Sequence, residues 1–265
     1  MLAWLLPILM LMVGVTAPRA TRPADPRPPQ VGMVWIDGGS YSPFYPPAPG
    51  VSKVFVSPFW LDALPVTERD WLVFVGSHPQ WQRGRVANLF ADQGYLRHWR
   101  GPVDPGPGVK LLAPVTRVSW FAAQAYCRSR GLRLPTEHQW ERAARASATQ
   151  EDASNDAGFR QQIIDWYGRP AGDPSVVGRA PANLWGVKDL HGLVWEWVLD
   201  FNSTLISSDN RGTNDKDKLP FCGAGAQQAK DKGDYPSFMR VAFRTSLRAH
   251  YTARTLGFRC AAAAP

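Results

Sequence analysis

Apolar and polar positions follow one another along this chain in three rhythms. Leu2 to Val15 is an unbroken apolar run without an acidic or basic side chain. It is too short to span a bilayer comfortably and matches the hydrophobic region of a secretory signal, expected over residues 1–20. Residues 21–31, opening "TRPADPRPPQ", read as a Pro-rich linker. Strand-like stretches come next. "MVWIDGGSYSPF" (Met33–Phe44) predicts a strand entering a Gly-Gly turn, and Val51–Phe59 alternates as a second strand. Helical spacing begins at Thr67, a good N-cap, with Glu68 and Asp70 in the first turn and Trp71, Leu72 and Val75 on one apolar face. Residues 78–109 read as loop. Ser119 caps a helix carrying Trp120, Phe121, Tyr126 and Cys127 that stops at Gly131. Leu132–Leu134 is extended, and Thr136 with Gln139 makes a capping box for a helix bearing Trp140. Residues 147–182 and 202–236 are polar and interrupted, and read as irregular loop. Phe238–Leu247 partly alternates as a strand, and Leu256–Ala261 reads as another. The expected class is α+β with little regular structure.

Composition changes this picture in a few places. At 265 residues, 45% hydrophobic and 20% charged, the chain is globular, and length alone allows one large domain or two small ones. Its 24 prolines and 12 tryptophans predict short elements, structured loops and a core anchored on large aromatics. The net charge of +8 comes from scattered Lys and Arg, with no stripe interleaved with aromatics, so a nucleic-acid groove is excluded. An exported basic protein near anionic lipid or an acidic partner is the better reading. No Lys or Arg precedes the apolar run and neither cleavage point is clean. Periplasmic or secreted export is expected; an uncleaved segment, the alternative, would tie the protein to a membrane. Three cysteines, Cys127, Cys222 and Cys260, lack metal-type spacing and suggest one disulfide and one spare thiol in an oxidising compartment.

Candidate chemistry concentrates in "DLHGLVWEWVLD", Asp189–Asp200, where Glu196 stands between Trp195 and Trp197. A carboxylate among large aromatics is costly to desolvate unless a cation sits against it. That cation could be a metal ion or an Arg; an exposed strand would need neither. With "PVTRVSW…AYCRSRGLRLPTEHQWERAAR" and "LGFRCA", the segment resembles the sulfatase-modifying-factor family, whose founding activity is the formylglycine-generating enzyme. The resemblance runs from about Met33 to Ala261. It implies a single C-type-lectin-like domain over residues 32–263, with ordered loops and bound calcium. By this resemblance Asp189 and Glu196 are side-chain ligands of Ca²⁺, joined by carbonyls such as those of Leu190, Gly192 and Val194; Ca²⁺ takes six to eight oxygens. Asp stands where the family often has Asn. A second family calcium site would fall in residues 147–182, where no ligands match. The resemblance also pairs Cys127 with Cys260, closing a loop worth roughly 4–5 kcal/mol in the chain-entropy account. A second family disulfide is lost on both sides, near Ala144 and Thr245.

One departure governs the functional reading. Formylglycine-generating enzymes bind Cu(I) with two cysteines five positions apart, and those positions fall near Tyr235 and Arg240 here. Neither is cysteine, so cysteine-to-formylglycine chemistry is not expected. Cys222, in a Gly-rich loop, is the remaining candidate thiol. Arg248 matches a family arginine that contacts substrate, and Trp195 a tryptophan near the active centre. The three are the candidate catalytic set, with a copper or iron site unsupported by any ligand motif. His138, His191 and His250 lack the two-histidine, one-carboxylate pattern of a non-haem iron site and are expected to be structural or exposed. The resemblance implies a monomeric exported accessory or maturation factor acting on another exported protein or peptide. The alternative is a non-catalytic C-type-lectin-like binding module.

Overall fold

The structure, a computed structural model, describes residues 28–46, 50–170, 172–202 and 234–265. The signal segment, most of the linker and Cys222 lie outside them. Two antiparallel pairings build the principal sheet, in the order β1 (Met33–Ile36), β4 (Phe59–Asp62) and β7 (Ala261–Ala263). Trp35 faces Trp60 across β1 and β4, and Trp60 faces Ala262 across β4 and β7. β2 (Gly39–Tyr41) and β3 (Val54–Val56) form a separate antiparallel pair. The expected Val51–Phe59 strand is therefore two short strands, broken before Pro58, which cannot donate to a ladder. β5 (Trp195–Trp197) and β6 (Leu256–Phe258) run parallel and set Glu196 opposite Gly257. A Cβ at Gly257 would lie 2.8 Å from the Val115 carbonyl oxygen, so no larger residue fits that close crossing.

The first three helices start where the sequence predicts. Thr67 and Asp70 form a reciprocal capping box at α1 (Glu68–Ser77). Ser119 accepts from the Ala122 N–H at α2 (Trp120–Ser129), and Thr136 with Gln139 closes the box at α3 (Glu137–Ala144). Two expectations are corrected. Residues 147–182 are not all loop: Asp156 caps α4 (Ala157–Tyr167). Phe238–Leu247 is not a strand but most of α5 (Tyr235–Ser246), capped by Asp234 with Pro236 in its first turn. Arg240 and Arg244 lie one helical turn apart in α5, and both are buried; four-residue spacing puts them on one face. An alternating strand would treat such arginines as solvent-facing, which is why the pattern misleads.

The core draws together residues of the principal sheet, of α1 and α2, and of β6. Trp71 stacks on Tyr126 at 5.7 Å, and Phe258 meets both rings edge-on at 5.8 and 5.4 Å. Cys127 of α2 is bonded to Cys260 beside β7, as the resemblance implied. Gln30, near the end of the Pro-rich stretch, is already tied to the domain: its amide oxygen accepts from Arg130 Nε at 2.9 Å. Among the described residues no helix is long and apolar enough to cross a membrane.

Candidate functional site

Strand β5 presents Glu196 to the interior and leaves Trp195 half-buried on the other face, as the two-residue period of a strand requires. The Glu196 carboxylate is fully enclosed. Arg259 reaches it from the residue after β6: Nε donates at 2.8 Å to one oxygen and Nη2 at 2.8 Å to the other. Trp140 Nε1 donates to the same group at 2.7 Å. Arg259 spends its remaining donors on the carbonyls of Asp62, Ala63 and Lys188 at 3.0, 3.2 and 2.9 Å. The cation that Glu196 calls for is thus an arginine within the same chain, a bidentate pair with its surplus hydrogens satisfied.

The predicted calcium ligands do not fit the ion in this arrangement. Glu196 is held by three N–H donors, two of them from the Arg259 guanidinium, so a divalent cation there would face a positive neighbour and an already occupied carboxylate. Asp189, in a left-handed backbone conformation (φ 59°), accepts the N–H groups of Gly178 and Ala180 instead. Gly192 makes a turn with φ 98°, and Leu190 and Val194 are buried. No group of three or more His, Cys, Asp or Glu side chains able to hold a metal is found among the described residues.

Trp140 links this pair to a second buried charge assembly. Its ring lies under the Arg244 guanidinium at 4.7 Å and near that of Arg240 at 5.8 Å. Glu141, next in α3, accepts from Arg240 Nε and Nη2 at 2.9 and 2.8 Å and from Arg244 Nη1 at 2.7 Å. Burial alone would push the Glu141 carboxyl up, but the two guanidinia outweigh it and hold the group below the usual carboxylate range. Arg240, near which the resemblance puts one of the catalytic thiols, is thus committed to an ion pair with Glu141. Tyr235, near the other, opens α5 as an exposed phenol.

Trp195 does not stand open to a substrate. It stacks on Phe243 of α5 at 4.4 Å and on Tyr167 of α4 at 5.1 Å, with Trp166 at 5.3 Å. Arg248 is exposed and lays its guanidinium over Tyr251 at 5.8 Å. Among the described residues no hydrogen bond or ring contact joins Arg248 to Trp195. Cys222, the third member of the expected set, lies outside the described residues. Two of the three histidines take structural positions: His138 Nδ1 pairs with the Tyr41 hydroxyl at 2.7 Å, and His191 donates from Nε2 to the Ala144 carbonyl at 2.8 Å. Burial lowers the His191 pKa to about 4, helped by the nearby Arg240 charge, so the ring is neutral near pH 7. Sequence reasoning missed Arg259 as the partner of Glu196 and missed both α5 arginines. Only the Arg in "GFRC" offered a signal, and nothing local connects it to a residue 63 positions away.

The family profile described as "Sulfatase-modifying factor enzyme 1-like domain" matches residues 18–264. The protein called "Inactive C-alpha-formylglycine-generating enzyme 2" of Bos taurus is 31% identical, over 88% of this chain and 89% of that protein. The formylglycine-generating enzyme of Thermomonospora curvata is 28% identical, over 87% and 93% respectively. Among solved structures, PvdO from Pseudomonas aeruginosa aligns with a TM-score of 0.46 at 18% identity, covering 87% of this chain and 94% of that one. The chain belongs to the sulfatase-modifying-factor family, as a single α+β domain of the formylglycine-generating-enzyme type with little regular secondary structure.

Proposed function

We propose that this protein is an exported accessory or maturation factor that acts on another exported protein or peptide without converting cysteine to formylglycine. Thiol arithmetic carries the reading. Of three cysteines, Cys127 and Cys260 are joined to each other, and Cys222 alone is left. A centre built from two thiolates cannot be assembled from one chain with one free cysteine. Arg240, at one of the aligned positions, is neutralised by Glu141 and offers no soft ligand. The name of the Bos taurus relative is in keeping with this reading. Export is supported by the Leu2–Val15 run and by a disulfide, which persists in oxidising compartments.

The test offers the purified protein a cysteine-containing sulfatase peptide with Cu(I) and oxygen and reads the peptide by mass spectrometry. Unconverted peptide is the expected result; aldehyde formation that disappears in Cys222→Ser would overturn the proposal. Comparing the exported proteins of cells with and without the gene tests the accessory role. A client altered in mass or abundance is expected, and an unchanged exported fraction would sink it. One observation favours the second reading, recognition without chemistry: Phe243 and Tyr167 stack on Trp195, the aromatic aligned with the family's active centre.

A further inference from the structure

A cavity of about 420 Å³ opens between the start of α1 and the loops at 98–117, lined by none of the candidate site residues described above. Its volume falls within the range of small-molecule sites, about 300–1,000 Å³. One wall carries Glu68, whose carboxylate is buried and fully used. Trp99 Nε1 donates to it at 2.7 Å and His98 Nε2 at 2.8 Å. The other ionisable groups lining the cavity are mostly cationic: Arg100, Lys110, Arg117 and Arg254. Arg100 is paired with Asp104, and Arg254 faces the exposed Asp173 at 3.4 Å. Lys110 and Arg117 have no acidic partner among the described residues.

Arg117 is unusual in a second, independent respect. Its backbone is left-handed, with φ 57°. That conformation is pinned from both sides: its N–H donates to the Ala253 carbonyl at 3.0 Å, and its own carbonyl accepts from Leu96 N at 3.0 Å. A side-chain-bearing residue is strained there and glycine is not, so this position carries a long charged side chain at a backbone cost. An outlier of this kind, on the wall of a cavity, points to use of the side chain.

We propose that this cavity binds an oxyanion on a small organic body, a carboxylate or phosphate, held by the Arg117 guanidinium and the Lys110 ammonium. The planar fork of Arg117 matches two oxygens of such a group, and Lys110 adds a point charge. Pro105 and Pro107 stiffen the rim, which limits the ordering that a ligand must impose. The site is independent of the accessory reading and would stand if that reading failed.

Calorimetric titration of the purified protein with citrate, inorganic phosphate and a short Glu-rich peptide tests the proposal. Saturable binding of at least one probe is expected, and which probe binds separates a free small acid or phosphate from an acidic peptide side chain. Arg117→Gly should weaken binding about tenfold or more, the loss expected of a charged hydrogen bond. Its thermal midpoint should be no lower than that of the parent, because glycine suits the left-handed backbone. Lys110→Ala, a change at an exposed position, should weaken binding too and decides the matter if Arg117→Gly misfolds. No saturable binding of any probe, or undiminished binding in either folded variant, would overturn the proposal.

Discussion

Glu196 and Arg259 show how much one side chain can decide. Arg259 is fully buried and holds a carboxylate together with three backbone carbonyls. Removing either partner of a buried pair leaves an uncompensated charge and costs about 3–5 kcal/mol. Glu196→Gln and Arg259→Met should both fall in that range in urea unfolding, with Arg259→Met the larger, because it also orphans the carbonyls of Asp62, Ala63 and Lys188. Equal losses in the two variants would mean that those carbonyls find other donors. His191 gives a prediction in pH. The unfolded imidazole protonates near 6.5 and the folded one near 4. Between those values the unfolded chain binds more protons, so stability is complete above about pH 6.5 and declines as pH falls toward 4. The loss from this group is at most about 3 kcal/mol. His191→Asn should flatten that part of the stability profile; a profile unchanged by the substitution would show that the ring is not kept neutral.

At the scale of elements, legibility followed locality. Helices α1, α2 and α3 were readable because each start is written within four residues, as at Thr67–Asp70, Ser119–Ala122 and Thr136–Gln139. Helix α5 was not, because its arginines are satisfied by Glu141, about a hundred residues earlier in the chain. The partner of Glu196 was hidden for the same reason: the segment Asp189–Glu196 shows the carboxylate, and the guanidinium set against it comes from Arg259, 63 residues later. The docking of α5 on α3 is itself testable. Glu141→Gln leaves Arg240 and Arg244 buried opposite a neutral amide, costing about 3–5 kcal/mol locally. Amide hydrogen exchange should then accelerate across residues 235–246 while α2, tied by its disulfide, stays protected. Uniform acceleration throughout the domain would show instead that α5 and the core unfold as one unit.

For the whole molecule, the disulfide is the largest single constraint. Cys127 and Cys260 are 133 residues apart, and closing that loop is worth about 5 kcal/mol in the chain-entropy account. Cys127→Ala/Cys260→Ala should therefore lower the unfolding midpoint markedly, and the denatured, unreduced parent should release one titratable thiol. A second or third thiol would contradict the pairing. The sheet that this disulfide braces has a further consequence, for the order of events as the chain is made. β1 and β4 meet early, but the Asp62 carboxylate waits for the Cys260 N–H, 198 residues later. Strand β7 completes the sheet beside that contact. A chain threaded through a membrane pore amino end first would thus stay unable to close its principal sheet until β7 had passed. Such a delay would keep an exported chain pliant in transit and would postpone the oxidation of Cys127 until its partner emerged on the far side.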